Sequence, residues 1–365
     1  MKFIKCKLEI DVEKIVSNYQ ILRKVCAGKH IGAAVKANAY GLGAEIITKS
    51  LLKAGCNNFF AAHLEEGYNL RSKIKEIDYN IFVLNGPLSA SELDIFHRYN
   101  LTPILNNMWQ VELWHDYTIH TQQKLPCVIH INTGMHRLGM NDEELQLIVT
   151  KGLFSNLNIS YVMSHLSAAE IKDEPYTHEQ LKLFTKYSEY FPGIKRSLAN
   201  SSGIFLGPDY HFELSRPGAA LYGINPLANM PNPMENPVRL LAPIIHIQHL
   251  KPGSAIGYNM TFVTDNNSVI ATLPLGYADG YLRSLSNKGV VYIDGIESKV
   301  VGRISMDLIT IDVTHVPANK IFIGKEVEII GENCTPDKLA GISNTIGYEI
   351  LTNLGQRYER IYKNV

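Results

Sequence analysis

The sequence predicts an α/β protein in two parts, an N-terminal (β/α)8 TIM barrel followed by a mainly β C-terminal domain. Three observations carry that expectation. The chain has 365 residues, more than one ordinary compact domain holds unless that domain is a barrel. From Lys7 to about Asn225, short apolar runs ending in polar residues or glycine alternate with amphipathic stretches, the rhythm of strand and helix units. From Leu241 the pattern changes to alternating β-type runs broken by tight turns. The division is expected to fall so that residues 1–235 form the barrel and 236–365 the β domain.

Eight runs supply the barrel strands: Ile31 to Lys36, Asn58 to His63, Ile81 to Asn85, Thr102 to Asn106, Cys127 to Asn132, Ile159 to His165, Arg196 to Asn200 and Phe212 to Arg216. Parallel strands covered by helices are buried on both faces, which is why these runs are nearly continuous in apolar character. Helix-like segments such as Gly43 to Ala54 and Glu179 to Tyr190 lie between them. Lys36, His63, His165, Asn200 and Arg216 all fall at or just past the C-terminal strand ends, the edge where barrels carry function. In the second part, Val290 to Ile293 runs into Asp294-Gly295, a hairpin turn. Ser298 to Asp312 and Glu326 to Ile330 are further β runs, Thr335-Pro336 opens a helix, and Gly347 to Leu354 forms a last short one.

The composition excludes several classes of function. Lysine plus arginine equals aspartate plus glutamate at 35 each, so nothing attracts nucleic acid or an anionic membrane, and a small-molecule partner fits better. Hydrophobic residues make up 45% and charged residues 19%, the balance of a globular protein with a sizeable core. Cys6, Cys26, Cys56, Cys127 and Cys334 are scattered and form no CxxC pair. They read as reduced, mostly buried thiols with no metal site. The N-terminal stretch interleaves charge with apolar residues and builds no secretory h-region, and no apolar run is long enough to span a bilayer. A cytoplasmic location follows as the expectation.

Lys36 lies within Ala33-Ala34-Val35-Lys36-Ala37-Asn38-Ala39-Tyr40-Gly41-Leu42-Gly43, at the end of a small-residue strand. Burial lowers the proton affinity of a lysine, and a neutral amine attacks an aldehyde to form a Schiff base, so the position suits covalent attachment of pyridoxal phosphate. A barrel-mouth lysine paired with a carboxylate fits the residue alone equally well. The neighbours favour the first reading, because the segment resembles the cofactor-lysine signature of the alanine racemase family. Blocks similar to that family's follow in order: Asn132 to Gly139, Ser164-His165-Leu166, Ala199-Asn200-Ser201, Arg216 to Gly223, Gly257-Tyr258, Leu275 to Gly280, Gly302 to Asp307 and Gly347-Tyr348-Glu349. Ordered blocks across both parts of the chain do not arise by chance.

The resemblance implies a fold-type III pyridoxal 5'-phosphate enzyme that interconverts L-alanine and D-alanine, supplies D-alanine for peptidoglycan, and works as a homodimer with shared active sites. It assigns Tyr40, Asn200, Ser201, Gly218, Ala219 and Tyr348 to the cofactor, most of them around its phosphate. Hydroxyls and close-approach amides satisfy phosphate oxygens, although Gly218 alone reads equally as turn chemistry. Arg216 is implied as the partner of the pyridine nitrogen, which it leaves unprotonated, weakening the electron sink and discouraging transamination. Inversion needs an acceptor on each face of the planar carbanion. Lys36 serves one face and, by the resemblance, Tyr258 of the partner subunit serves the other. A free phenol has a pKa of about 10, so His165 and Arg216 are implied as its hydrogen-bonded support. Arg137 positions that base and the substrate carboxylate, with the backbone of Met306 and Asp307 of the partner subunit closing the pocket. Tyr258 and Tyr348 narrow the entrance toward a methyl side chain.

The chain departs from the family at four places. His130 stands where many members carry a lysine that becomes carbamylated and orients the arginine, so Arg137 must be held by another anion, such as a chloride or a nearby carboxylate. Asn132 replaces an aspartate, Ser197 a common histidine, and Ser305 a common cysteine. Alternatives are a broad-specificity or serine racemase, against which Tyr348 argues, and a basic amino-acid decarboxylase, whose glycine-triplet phosphate loop is missing. A non-catalytic pyridoxal phosphate carrier would stop after the barrel and lack Gly257-Tyr258.

Overall fold

A computed structural model describes residues 5–76 and 78–365. In one compact unit, Val16–Leu221 with Asn225–Met234, seven strands run parallel in chain order: Ala33–Ala34, Asn58–Ala61, Asn80–Val83, Leu101–Leu105, Pro126–His130, Asn158–Met163 and Lys195–Ser197. The eighth, Leu214–Ser215, pairs in parallel with His30–Ile31. Gly32 N donates to Ser215 O and Ala34 N to Pro217 O, both at 2.9 Å. On its other side, Glu213 N donates to Arg196 O at 3.1 Å and Arg216 N to Ala199 O at 2.8 Å. The ring therefore closes into the expected barrel, and each of the eight apolar runs overlaps one of its strands.

The barrel interior is filled rather than open. Ala34, Phe60, Phe82, Ile104, Val128, Met163 and Leu214 form a buried cluster with one residue from each of seven strands. Phe60 and Phe82 stack with ring centroids 4.9 Å apart. Burying each large side chain contributes roughly 1.5–3 kcal/mol, which makes this layer the floor on which the strand ends are fixed. The amphipathic segment at 43–54 is the helix Ala44–Lys53. The segment at 179–190 is the helix Pro175–Ser188, which starts earlier than the apolar pattern indicates. Pro175 occupies its first turn and the Glu174 side chain accepts from Tyr176 N at 3.2 Å, a start signal independent of hydrophobic periodicity.

The other unit contains Glu235–Val365, Tyr222–Ile224 and the described residues before Val16. Its nine-stranded sheet has the order His246–Leu250, Ser268–Leu273, Ile309–Asp312, Ile296–Val300, Val290–Ile293, Glu326–Ile330, Val238–Pro243, Lys7–Asp11 and Glu359–Lys363. Lys7–Asp11 pairs antiparallel with Val238–Pro243 and parallel with Glu359–Lys363. The division is thus not a single cut between 235 and 236, since the first strand belongs to the β unit. The physical reason is its alternation: Leu8 and Ile10 are buried while Lys7, Glu9 and Asp11 are only partly so, the pattern of a strand with one buried face.

Within this unit the hairpin Val290–Ile293 and Ile296–Val300 turns at Asp294 and Gly295, with φ of 48° and 79°. Two central residues with positive φ are what a two-residue I′ hairpin requires. The run expected from Ser298 to Asp312 is two strands, and the loop between them carries the Gly302 to Asp307 block. Thr335 Oγ1 accepts from Lys338 N at 3.2 Å and caps the helix Pro336–Ser343. All five cysteines are buried and none is bonded to another. Among the described residues, no helix is long and apolar enough to cross a membrane.

Candidate active site

The C-terminal edge of the barrel gathers Lys36, Tyr40, Arg137, His165, Asn200, Ser201, Arg216, Gly218 and Ala219 at or beyond its strand ends. Lys36 follows the strand Ala33–Ala34 and begins a helical turn over Lys36–Tyr40 whose interior is left-handed: φ is 51° at Ala37, 54° at Asn38, 53° at Ala39 and 56° at Tyr40. Left-handed helix costs L-residues roughly 1–2 kcal/mol each, so hydrogen bonds within the turn and from outside it must hold it. Ala39 N donates to Val35 O and Gly41 N to Ala37 O, both at 2.8 Å, and Gly43 N donates to Asn38 O at 2.9 Å. Ala37 N donates to Glu66 Oε1 at 2.8 Å. Burial, and then the Arg137 charge, pull the half-buried Lys36 amine below the usual lysine range, with Glu66 opposing them.

The turn carries Tyr40 to Gly218. A methyl group added at Gly218 would overlap the Tyr40 hydroxyl and lie 3.2 Å from the Ala34 Cβ, so only glycine lets that hydroxyl approach the loop after the eighth strand. Ser201 Oγ accepts from Gly218 N at 3.0 Å and from Ala220 N at 3.2 Å. A hydroxyl has two acceptor positions and one proton. With both acceptor positions taken, its remaining capacity is to donate. Asn200 shapes the loop after the seventh strand instead, its Oδ1 accepting from Gly203 N at 2.8 Å.

Arg216 is buried. Its Nη1 donates to Ser197 Oγ at 2.6 Å, and its Nη2 donates to Ser164 O at 2.5 Å and Leu198 O at 3.4 Å. Among the described residues no carboxylate pairs with it, and burial lowers its pKa to about 10, which leaves it cationic at neutral pH. Ser197, the departure noted beside this arginine, supplies the side-chain oxygen that its Nη1 reaches.

His165 is pushed well below the ordinary histidine range, first by burial and then by Arg216, Arg137, His130 and Lys36. His130 is lowered to about 3 by burial, Arg216 and Arg137. Its Nδ1 bonds to Asn106 Oδ1 at 2.7 Å. Asn106 Nδ2 in turn donates to the carbonyls of Leu84 and Ile104, both at 3.0 Å, so the amide oxygen faces the imidazole as acceptor and Nδ1 carries the proton. His130 therefore gives Arg137 a neutral neighbour rather than an anionic one. Arg137 is exposed on the loop after Pro126–His130 and forms no ion pair among the described residues. Asn132 shapes that loop, its Oδ1 accepting from Gly134 N at 3.0 Å and His136 N at 3.2 Å.

The β unit carries Tyr258, Met306, Asp307 and Tyr348. Tyr258 is 70% exposed at a turn where Asn259 and Met260 have φ of 59° and 52°. Ser305 O accepts from Tyr277 N at 3.1 Å and Met306 O from Ala278 N at 3.0 Å. No described hydrogen bond uses the backbone N–H of Met306 or Asp307, so this pair is available to an acceptor. Arg357 braces the loop: its Nε and Nη2 grip Asp279 at 2.7 and 2.8 Å while Nη1 donates to Asp307 Oδ1 at 2.7 Å. Tyr348 lies on the short helix Gly347–Thr352 and is 40% exposed.

Sequence reasoning missed Glu66 and Arg357. Glu66 stands three residues after His63, the spacing of a capping box before an apolar run. His63, read as a residue of the active edge, is exposed at the start of the helix Leu64–Lys73. For Arg357 there was no local signal.

Comparison with known proteins points the same way. The family model for the N-terminal domain of alanine racemase matches residues 10–226, and that for the C-terminal domain matches residues 238–362. An alanine racemase of Rickettsia akari is 55% identical over 358 residues, covering 98% of this chain and 99% of that protein. One of Rickettsia bellii is 58% identical over 334 residues, covering 91% of this chain and 81% of that protein. Among solved structures, the alanine racemase of Bartonella henselae with covalently bound pyridoxal phosphate matches with a TM-score of 0.94 at 39% identity, covering 99% of this chain and 100% of that one.

Proposed function

We propose, on the premise that this chain belongs to the alanine racemase family, that it interconverts L-alanine and D-alanine by a two-base mechanism, with pyridoxal 5'-phosphate attached to Lys36. One observation carries the reading. Lys36 is an amine of lowered proton affinity on the same barrel edge as a buried arginine that pairs with no carboxylate among the described residues. The residues fit the cofactor. Gly218 admits the close approach of the Tyr40 hydroxyl that a methyl group would block, and the Ser201 hydroxyl has only its proton left to give, which suits a phosphate; the family resemblance adds Ala219 and Tyr348 to its holders and Asn200 to the cofactor. The covalently bound pyridoxal phosphate of the Bartonella henselae protein supports the same assignment.

When bound, pyridoxal 5'-phosphate supplies the electron sink that makes the substrate Cα proton removable. The protein supplies the rest. Lys36 Nζ, freed when the substrate amine takes its place on the cofactor, would take or return the proton on one face of Cα. A base on one face alone returns the proton to the side it left, so Tyr258 from a second copy of the chain serves the opposite face. Neutral His165 offers the phenol an acceptor, and cationic Arg216 stands behind it. Arg216 would hold the pyridine nitrogen by donating a hydrogen bond without surrendering its proton, which would keep the sink modest and favour return of the proton to Cα over transamination. Arg137, together with the Met306 and Asp307 backbone amides of the second copy, would hold the substrate carboxylate. Tyr258 and Tyr348 limit the side chain to about the size of a methyl group, although sterics discriminate modestly per methylene. D-Alanine for peptidoglycan, made in the cytoplasm by a homodimer, is the physiological reading.

The test is chiral analysis of purified protein incubated separately with L-alanine, L-serine and L-lysine, with the visible absorbance of the protein recorded alongside. D-Alanine should form from L-alanine, with little racemisation of the others. Absence of D-alanine refutes the proposal.

A further inference from the structure

We infer that Glu66 is a positioning residue for Lys36, a carboxylate clamp that fixes the left-handed turn and thereby aims the amine. This inference rests on Lys36 being the cofactor-bearing residue.

The parallel pairing of Ala33–Ala34 with Asn58–Ala61 runs through Ala33 with Phe59 and Ala34 with Phe60. It ends where Val35 N donates to Phe60 O at 2.9 Å. Beyond that point the two chains part, because residues 37–40 turn left-handed and can no longer offer amides to the neighbouring strand. Glu66 takes over. Its Oε1 accepts from Ala37 N at 2.8 Å, while Oε2 accepts from Ala62 N at 2.7 Å and His63 N at 3.4 Å. One side chain therefore ties the residue after Lys36 to the two residues after the adjacent strand.

The Ala37 N–H lies in the peptide plane that also contains the Lys36 carbonyl. Holding that plane fixes ψ at Lys36 and with it the direction of the side chain. The clamp uses both oxygens of an ionised carboxylate, and charge-assisted bonds of this type are the stronger kind. Glu66 also acts through its charge. The charged groups bearing on Lys36 are Arg137, from the loop after Pro126–His130, and Glu66, from the helix Leu64–Lys73, with His165 on the loop after Asn158–Met163 facing the same amine. His165 is held neutral, so Glu66 is the anion in that set. A capping box alone explains the bonds to Ala62 and His63. It does not explain the bond to Ala37, 29 residues earlier.

The test compares Glu66→Gln and Glu66→Asp with the unaltered protein and with Lys36→Ala. The first readout is the rate at which cofactor-free protein attaches added pyridoxal 5'-phosphate as a function of pH, followed by visible absorbance. Borohydride reduction and peptide mapping then locate the label. The second is hydrogen exchange of the amides of residues 37–41. Glu66→Gln keeps one acceptor oxygen and loses the charge that supports protonation of Lys36. Its attachment midpoint should move down by about one pH unit, and amide exchange in the turn should rise at least tenfold. Glu66→Asp keeps the charge on a shorter arm. It should keep the midpoint near that of the unaltered protein but show the faster exchange, and it carries the test if Glu66→Gln does not fold. Label missing from Lys36 in the unaltered protein overturns the reading of the site itself. Label at Lys36, with midpoint and exchange unchanged in the variants, overturns the role of Glu66 alone.

Discussion

Acidification from about pH 7.5 to about pH 4.5 should destabilise the barrel through His130 by about 2.5 kcal/mol. In the fold this imidazole has its pKa lowered to about 3, by burial first and then by Arg216 and Arg137. In the unfolded chain it takes a proton near the ordinary value of about 6.5. Between those two values the unfolded state binds more protons, so stability falls as pH drops through about 6.5 and stops falling near 3. Of the full window of about 3.5 units at about 1.36 kcal/mol each, some two units are spent by about pH 4.5. His165, lowered for the same reasons, adds a loss of the same sign. The perturbation that isolates His130 is His130→Gln, whose amide can still donate to Asn106 but does not titrate. Urea unfolding of both proteins across the range should show the variant losing less stability on acidification by about 2.5 kcal/mol, whatever its offset at neutral pH. Parallel curves for the two proteins would refute the reasoning.

Three further outcomes are expected. Gly218→Ala must displace the Tyr40 hydroxyl or the loop, an overpacking cost of about 1–3 kcal/mol; pyridoxal phosphate should dissociate at least tenfold faster in dialysis, and unchanged retention would count against the cradle. Arg137→Ala should raise KM for alanine and lower turnover strongly, measured by coupled D-alanine detection, and near-normal kinetics would remove it from the site. Lys36→Ala and Tyr258→Phe should each be inactive alone, whereas mixing and re-equilibrating them should restore up to about a quarter of native activity if sites are shared between copies, and no recovery would argue for a site within one chain.

The barrel was legible because its strands are short, apolar throughout and closed by polar residues, a pattern that physics imposes on strands buried on both faces. The strand Lys7–Asp11 was placed with the barrel because it precedes the other runs. Its alternation was visible, but its partners lie more than 200 residues away. At the site, Lys36, Ser201 and Arg216 were readable because each ends a strand or opens the next loop. The left-handed turn was not. Nothing in Ala37-Asn38-Ala39-Tyr40 announces positive φ except the tolerance of asparagine, and the bond that holds it comes from another helix. Asp279 lies within a quoted block, yet its grip by Arg357 spans 78 residues, a distance at which pattern carries no information.

The pairing of Lys7–Asp11 with both Val238–Pro243 and Glu359–Lys363 also sets a schedule. During synthesis this strand leaves the ribosome long before either neighbour exists, and every barrel residue is made in the interval. The barrel can mature from contacts within its own segment, while Leu8 and Ile10 wait without a sheet to cover them. Completion of the β unit therefore awaits the strand Glu359–Lys363, and a ribosome stalled shortly before Val238 would hold a finished barrel and an unpaired apolar ribbon open to chaperones or to aggregation.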